Sequence, residues 1–457
     1  MPPRRLWLWT AAAFAVLAAM AAVRALDWSY GADTGTFVQI VLDAGGGMWN
    51  GVERTTHFRF HWSPALAVLW PFLAIDRSLA VWTLQAILAA ATALCAPLLY
   101  AIARPALGER LAERAAYVTL LYPPLVAVGF GEFRDLGLLP ALALSWWLAL
   151  ERRAWIWVAA SAAAMALLRE DICLELALLG GGLAIAAIVA RDRARAIAAG
   201  ASALAGIVSG LVYALIVVPR VGPWPPSHFY DYPFAHGPAA LLAAPFTHPL
   251  ALVAAIATVG RLTYLLEAFV PLALVPPFRT RLLWLAVPGF AIVLLANSGL
   301  VWRMGMHYAA LWIPWLLIAF AGGLARLRLP LRWVAAALIL SAVVLVGFSP
   351  LHPTHYLRPS YDDLAAARAA VALVPSNASV ATHDEWYSAI AGTHPRAEVF
   401  GDQPPPAEYI VYAEDFPSRA FVQNVLPRVH ALVSDRHYRL VFTRGAVRVY
   451  RTSGEKS

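Results

Sequence analysis

The sequence predicts an all-α polytopic membrane domain of about eleven transmembrane helices followed by a small exterior α/β domain, and three observations carry that reading. Hydrophobic residues make up 61% of the 457 and charged ones only 14%, where a soluble domain carries about 25%. Apolar runs long enough to cross a bilayer recur from residue 6 to residue 349. After residue 350 the composition turns to that of a soluble domain, with Asp, Glu, His and Pro spread to the end of the chain.

Read in order, the expected spans lie near 6–26, 78–103, 115–131, 136–150, 154–168, 172–190, 196–218, 262–278, 282–297, 306–325 and 331–349. The stretches 63–75 and 239–259 read either as further spans or as helices in the interface. Arg4 and Arg5 precede the first span and no A-x-A-like site follows it, so it reads as an anchor with a cytoplasmic N-terminus. Alternating from there, the cytoplasmic loops hold Arg104, Arg110 and Arg114, then Arg152 and Arg153, then Arg191, Arg193 and Arg195, then Arg279 and Arg281, then Arg326, Arg328 and Arg332. This is the positive-inside bias of a multipass protein of the cell membrane. It also accounts for the net charge of +8 without a nucleic-acid partner, since the basic residues are scattered between apolar segments.

The other set of loops is longer, and function is expected there. Residues 27–77 carry Asp33, Asp43, Glu53, His57 and His61, while 219–261 is rich in Pro, Trp, Tyr and His. Trp224, Phe229, Tyr230 and Tyr232 read as interfacial anchors. In residues 350–457, placed outside by the odd span count, Ser360 is expected to cap a helix with Asp362 and Asp363 in its first turn, running to Val374. Ser379 to Thr382 and Tyr409 to Ala413 read as strands, and Tyr438 to Thr452 as a hairpin turning at Arg444-Gly445. Cys95 and Cys173 lie in apolar runs and read as inert filler. With no P-loop, G-x-G-x-x-G, C-x-x-C or H-E-x-x-H in the chain, nucleotide-driven transport and zincin proteolysis lose their usual support.

Charges beside hydrocarbon are costly unless paired, hydrated or used. Three clusters sit at exterior span ends: Asp33, then Glu132-Phe133-Arg134-Asp135, then Arg169-Glu170-Asp171, with His57, His61, Arg303, His307 and Tyr308 joining them. Internal ion pairing would explain them, yet they come from separate helix ends and share one face. A carboxylate can take a proton from a hydroxyl, and a guanidinium fork suits a phosphate.

The ordered motifs Asp33-x-Gly35-x-Phe37-x-Gln39, His61-x-Ser63-Pro64, Leu121-Tyr122-Pro123-Pro124 with Glu132-Phe133-Arg134, Arg169-Glu170-Asp171 and His307-Tyr308 resemble a bacterial and archaeal family of multipass membrane proteins catalogued as a domain of unknown function. Leu373-Val374-Pro375, Ala378-Ser379-Val380 and Ala407-Glu408-Tyr409-Ile410-Val411 match its exterior tail. That family looks related to the GT-C superfamily of integral-membrane glycosyltransferases, which includes protein mannosyltransferases and the aminoarabinose transferases of lipid A. The chain departs from it with Glu132-Phe133-Arg134 for the usual Asp-Phe-His and Arg169 for the usual Lys. Arginine at 134 makes a metal there a poorer fit.

The resemblance implies a GT-C-like fold, a polyprenyl-phosphate-linked sugar donor, reaction at the exterior face on an unknown glycan, lipid or protein acceptor, and Asp33 as catalytic base. Arg134 and Arg169 are expected to hold the lipid phosphate, with Glu132, Glu170, Asp171, His61, His307 and Tyr308 in substrate binding. A divalent Mg or Mn on Asp33, Glu170, Asp171 or His61 is chemically compatible. The alternative is a lipid or polysaccharide transporter or assembly subunit that binds lipid phosphate without catalysis, its helices broken at Gly180-Gly181-Gly182 and at Pro271 or Pro276-Pro277.

Overall fold

The computed structural model describes residues 2–222, 230–328, 330–347, 363–401, 404–416, 421–436 and 438–453. In chain order the helices are α1 (Arg4–Leu26), α2 (Ala32–Leu42), α3 (Trp70–Ile75), α4 (Ala80–Leu120), α5 (Pro123–Phe130), α6 (Leu139–Glu151), α7 (Trp155–Ala166), α8 (Glu170–Val189), α9 (Arg193–Val212), α10 (Val218–Val221), α11 (Gly237–Thr247), α12 (Pro249–Ile256), α13 (Val259–Phe269), α14 (Thr280–Leu283), α15 (Val287–Leu294), α16 (Ile313–Leu327), α17 (Leu331–Gly347), α18 (Leu364–Val371), α19 (Asp384–Ile390) and α20 (Leu426–Asp435). The strands are β1 (Trp49–Asn50), β2 (Thr55–Thr56), β3 (Val380–Thr382), β4 (Ala397–Val399), β5 (Tyr409–Ala413), β6 (Tyr438–Arg444) and β7 (Val447–Thr452).

The apolar runs do form helices, but not as eleven uninterrupted rods. Among the described residues four helical segments are long and apolar enough to cross a bilayer, Arg4–Leu26, Arg77–Leu120, Glu170–Val189 and Arg193–Val221, and Pro249–Ile256 with Val259–Leu272, bent by 61°, adds a fifth. Local chemistry explains the interruptions. Pro123 and Pro124 lack the amide hydrogens that would continue α4, so α5 begins there with both at its first positions, and the expected span 115–131 is divided. The loop expected at 104–114 is instead a continuation of α4 broken at Gly108, whose φ of 71° only glycine adopts without strain.

The segment Gly180-Gly181-Gly182 lies inside unbroken α8. Gly180 lets α9 approach: a Cβ there would stand 2.8 Å from the Ala199 carbonyl oxygen and the Ala203 amide nitrogen. Of the proposed interruptions, Pro271 does sit in a tight turn between helices, Val270–Leu272. Both cysteines are buried and free.

After the bundle comes a five-stranded sheet of order β4-β3-β5-β7-β6, parallel at β3 with β4 and β5, antiparallel at β5 with β7 and β7 with β6. β3, β5 and the hairpin fall where the sequence reading put strands, with Arg444 opposite Val447 and Gly445 at φ 56° in the turn. Ser360 and Asp362 lie outside the described residues. Asp363 itself caps α18, accepting from the Ala366 amide at 2.7 Å, and the helix ends at Val371 rather than Val374. β4, α19 and α20 were not anticipated, being short and without a clean period.

Trp224 and Phe229 also lie outside the described residues. Tyr232 is buried and tied inward, donating to the Leu295 carbonyl at 2.9 Å and accepting from the Arg261 guanidinium at 2.9 Å, a correction to its reading as an interfacial anchor.

Candidate functional site

Each charged motif sits at a helix end, where backbone amides lack partners within the helix. Asp33 stands in the first turn of α2, and its carboxylate forms an ion pair with Arg134 from the loop between α5 and α6. The Asp33 side chain is 43% exposed and that of Arg134 22%, so this pair faces outward.

Glu132 turns the other way. Its carboxylate accepts from the Gly31 amide at 2.7 Å, the Thr34 amide at 3.2 Å and the Thr34 hydroxyl at 2.6 Å. It thus caps α2 from a neighbouring loop, favourable to the helix dipole, and Arg24 lies 3.7 Å behind it. Its oxygens thus hold the start of α2, the turn that carries Asp33.

Arg169 precedes α8 and is buried, its side chain 4% exposed, with Asp135 at 3.4 Å and Asp171 at 3.1 Å. Asp135 is wholly buried and also accepts from the Ser63 hydroxyl at 2.7 Å. Glu170 reaches back to the first loop, pairing with His61 Nδ1 at 2.7 Å and accepting from the Trp62 amide at 2.9 Å. Tyr308 lies under the Arg169 guanidinium, 5.5 Å from it to the ring centroid, with His307 against Tyr308 at 4.1 Å. His307 is within electrostatic reach of Arg134, Arg169 and His61, so all these groups share one neighbourhood.

In the first loop His57 is buried against Phe37 and His61, and burial, with the nearby His61, holds its imidazole down to about 3. It is neutral at physiological pH and packs rather than carries charge. The sequence reading placed Asp135 in the charged cluster, where it pairs with Arg169, but missed Ser63 as its hydrogen-bond partner. It also missed Gln39, which accepts from the Gly51 amide and the Tyr387 hydroxyl and donates to the Ala397 carbonyl. Gln39 and Ser63 belonged to the quoted motifs, but nothing in the spacing said what they touch.

The carboxylates already have partners: Asp33 pairs with Arg134, Asp135 and Asp171 with Arg169, and Glu170 hydrogen-bonds His61 and the Trp62 amide. Among the described residues no three His, Cys, Asp or Glu side chains are grouped to hold a metal ion.

The family model "Predicted membrane protein (DUF2079)" matches residues 29–416, which includes every charged motif described above. The chain belongs to that family. No curated protein sequence matches it. This DUF2079 chain is similar in fold to ArnT from Cupriavidus metallidurans bound to undecaprenyl phosphate, at TM-score 0.56 and 14% identity over 97% of this chain and 98% of that one. The apo ArnT structure gives TM-score 0.53 and 15% identity over 96% of each chain. At such identity the likeness is one of fold.

Proposed function

We propose that this protein is a membrane glycosyltransferase that moves a sugar from a polyprenyl-phosphate donor to an acceptor hydroxyl at the exterior face. The observation that carries the reading is the outward-facing Asp33–Arg134 pair, held by Glu132 at the start of α2, in a fold similar to a protein solved with undecaprenyl phosphate.

In this reading the lipid phosphate replaces the Asp33 carboxylate as the partner of Arg134. The exchange frees Asp33 to take the proton of the acceptor hydroxyl as its oxygen bonds to the anomeric carbon. The bond from that carbon to the phosphate oxygen breaks, and the lipid phosphate leaves with both electrons and with inversion at the sugar. Its negative charge meets a guanidinium already in place. Arg169 is too buried to share that contact and instead holds Asp135, Asp171 and Tyr308 in position.

The test is incubation of purified protein in lipid with radiolabelled polyprenyl-phosphate sugars. Consumption of a donor with release of lipid phosphate is expected, and abolished by Asp33→Asn. Tight binding of donors with none consumed, across acceptors of glycan, lipid and peptide type, would overturn the enzymatic reading in favour of a carrier or assembly subunit.

A further inference from the structure

A cavity of about 910 Å³ lies at the opposite end of α6 from the charged cluster, between the C-terminal ends of α6 and α16 and the part of α4 that precedes its break at Gly108. From Leu139 to Glu151 α6 has 13 residues, about 20 Å at 1.5 Å each, so this cavity is a separate feature. Arg104, Arg152 and Arg326 line it, Arg104 from within α4 before its break at Gly108, Arg152 from the C-terminal cap of α6 and Arg326 from the last turn of α16. Arg104 is paired with Glu109 at 3.1 Å, and the one lining carboxylate, Glu151, is taken by Arg195 at 2.7 Å. Arg152 and Arg326 have no carboxylate partner among the described residues, so the cavity holds two uncompensated positive charges.

A second cavity adjoins it. A groove of about 690 Å³ between α4 and α6 shares Ala101, Leu148 and Arg152 with it and is lined by side chains such as Leu94, Leu98 and Leu142. From Ile87 to Ala101 the α4 wall of this groove spans fifteen residues, about 21 Å from first to last. A topological role for the arginines requires them only to stay on one side of the membrane. It does not require them to converge on a cavity joined to an apolar groove.

We propose that this pair of cavities binds an anionic phospholipid, its phosphate between Arg152 and Arg326 and one acyl chain in the groove between α4 and α6. Charge complementarity selects the headgroup, since a zwitterionic lipid brings an ammonium group to a site that is already positive. The continuous apolar wall selects a lipid over a free phosphate. The arginine-bearing end places the lipid in the leaflet away from the Asp33–Arg134 pair, where it would tie α4, α6 and α16 together.

Native mass spectrometry of the full-length protein, titrated with phosphatidylglycerol, phosphatidylcholine or inorganic phosphate, tests the proposal. Retention of phosphatidylglycerol roughly tenfold above phosphatidylcholine is expected from two arginine attractions, with millimolar phosphate unable to displace it. The double variant Arg152→Gln/Arg326→Gln should lose the preference, whereas removing two exposed arginines elsewhere, Arg110→Gln/Arg193→Gln, should keep it. Ala141→Phe, which fills the groove without changing charge, should weaken phosphatidylglycerol binding several-fold. Equal retention of the two lipids, or a preference that survives the double variant, overturns the site. Displacement by inorganic phosphate overturns the lipid as occupant.

Discussion

The Tyr387 hydroxyl donates a 2.7 Å hydrogen bond to the side-chain oxygen of Gln39, joining residues 348 apart in the chain. The contact closes an interface between α2 and α19 in which Gln39 also donates to the Ala397 carbonyl at 2.9 Å. A Cβ on Gly35 would stand 2.6 Å from the Ser388 Cα. The helix that presents Asp33 is therefore seated on the C-terminal segment. Tyr387→Phe leaves that Gln39 oxygen with the Gly51 amide alone and should cost about 1 kcal/mol of stability. Gly35→Val, which must push backbone apart, should cost more. Thermal melting and protease access to residues 363–453 check both.

Asp33→Asn keeps the size and removes the basic carboxylate. Turnover of a verified donor should fall about 10²-fold or more, while donor affinity should hold or rise, since Arg134 loses the carboxylate that competes with the phosphate. Wild-type turnover in this variant would move the base elsewhere.

Arg134 and Arg169 should separate in their behaviour. Arg134→Gln should weaken binding of a polyprenyl phosphate by roughly 1.5–3 kcal/mol, the loss expected for charge-assisted hydrogen bonds, and lysine should rescue it in part. Arg169→Gln strips the counter-charge from buried Asp135 and from Asp171 and should destabilise the protein by about 3–5 kcal/mol, while the folded fraction still binds. Melting and lipid binding measured on the same preparations distinguish them, and unchanged binding in Arg134→Gln would exclude its phosphate contact.

Glu385, at the start of α19, has its carboxyl pushed up to about 7 by burial first and by Asp384 and Glu132 after it. The folded state then holds a proton that the unfolded state has lost between its ordinary pKa near 4.3 and about 7. Stability from this group is present below that window and lost as pH rises through it. Buried His383, its imidazole held well below the usual range, acts oppositely as pH falls below about 6.5. The difference in melting temperature between Glu385→Gln and wild type isolates the first effect. It should be larger at pH 8 than at pH 5, in favour of the glutamine.

Reporter fusions at residue 457 should read as exterior, and fusions after Arg153 or Arg195 as cytoplasmic. A cytoplasmic C-terminus would reverse the faces assigned to both proposed sites.

What the sequence by itself determined is what depends on near neighbours. Composition made this a membrane protein, α8 and α9 follow from unbroken apolar runs, and the hairpin from β6 to β7 follows from alternating residues about a glycine turn. The motifs also marked the charged residues that the fold gathers. Partners were decided only by tertiary structure. Nothing local distinguishes partly exposed Arg134 from Arg169, buried against Asp135 and Asp171, because the difference lies in which loops close over each guanidinium. Likewise, Glu132 caps α2 rather than facing solvent because a loop some hundred residues away meets the unpaired amides at that helix end. The short strand β4 and helix α19 had no legible period, since their stability comes from the sheet and from the α2 face they cover. Where backbone and charge are satisfied by distant groups, the sequence states the need and the fold supplies the answer.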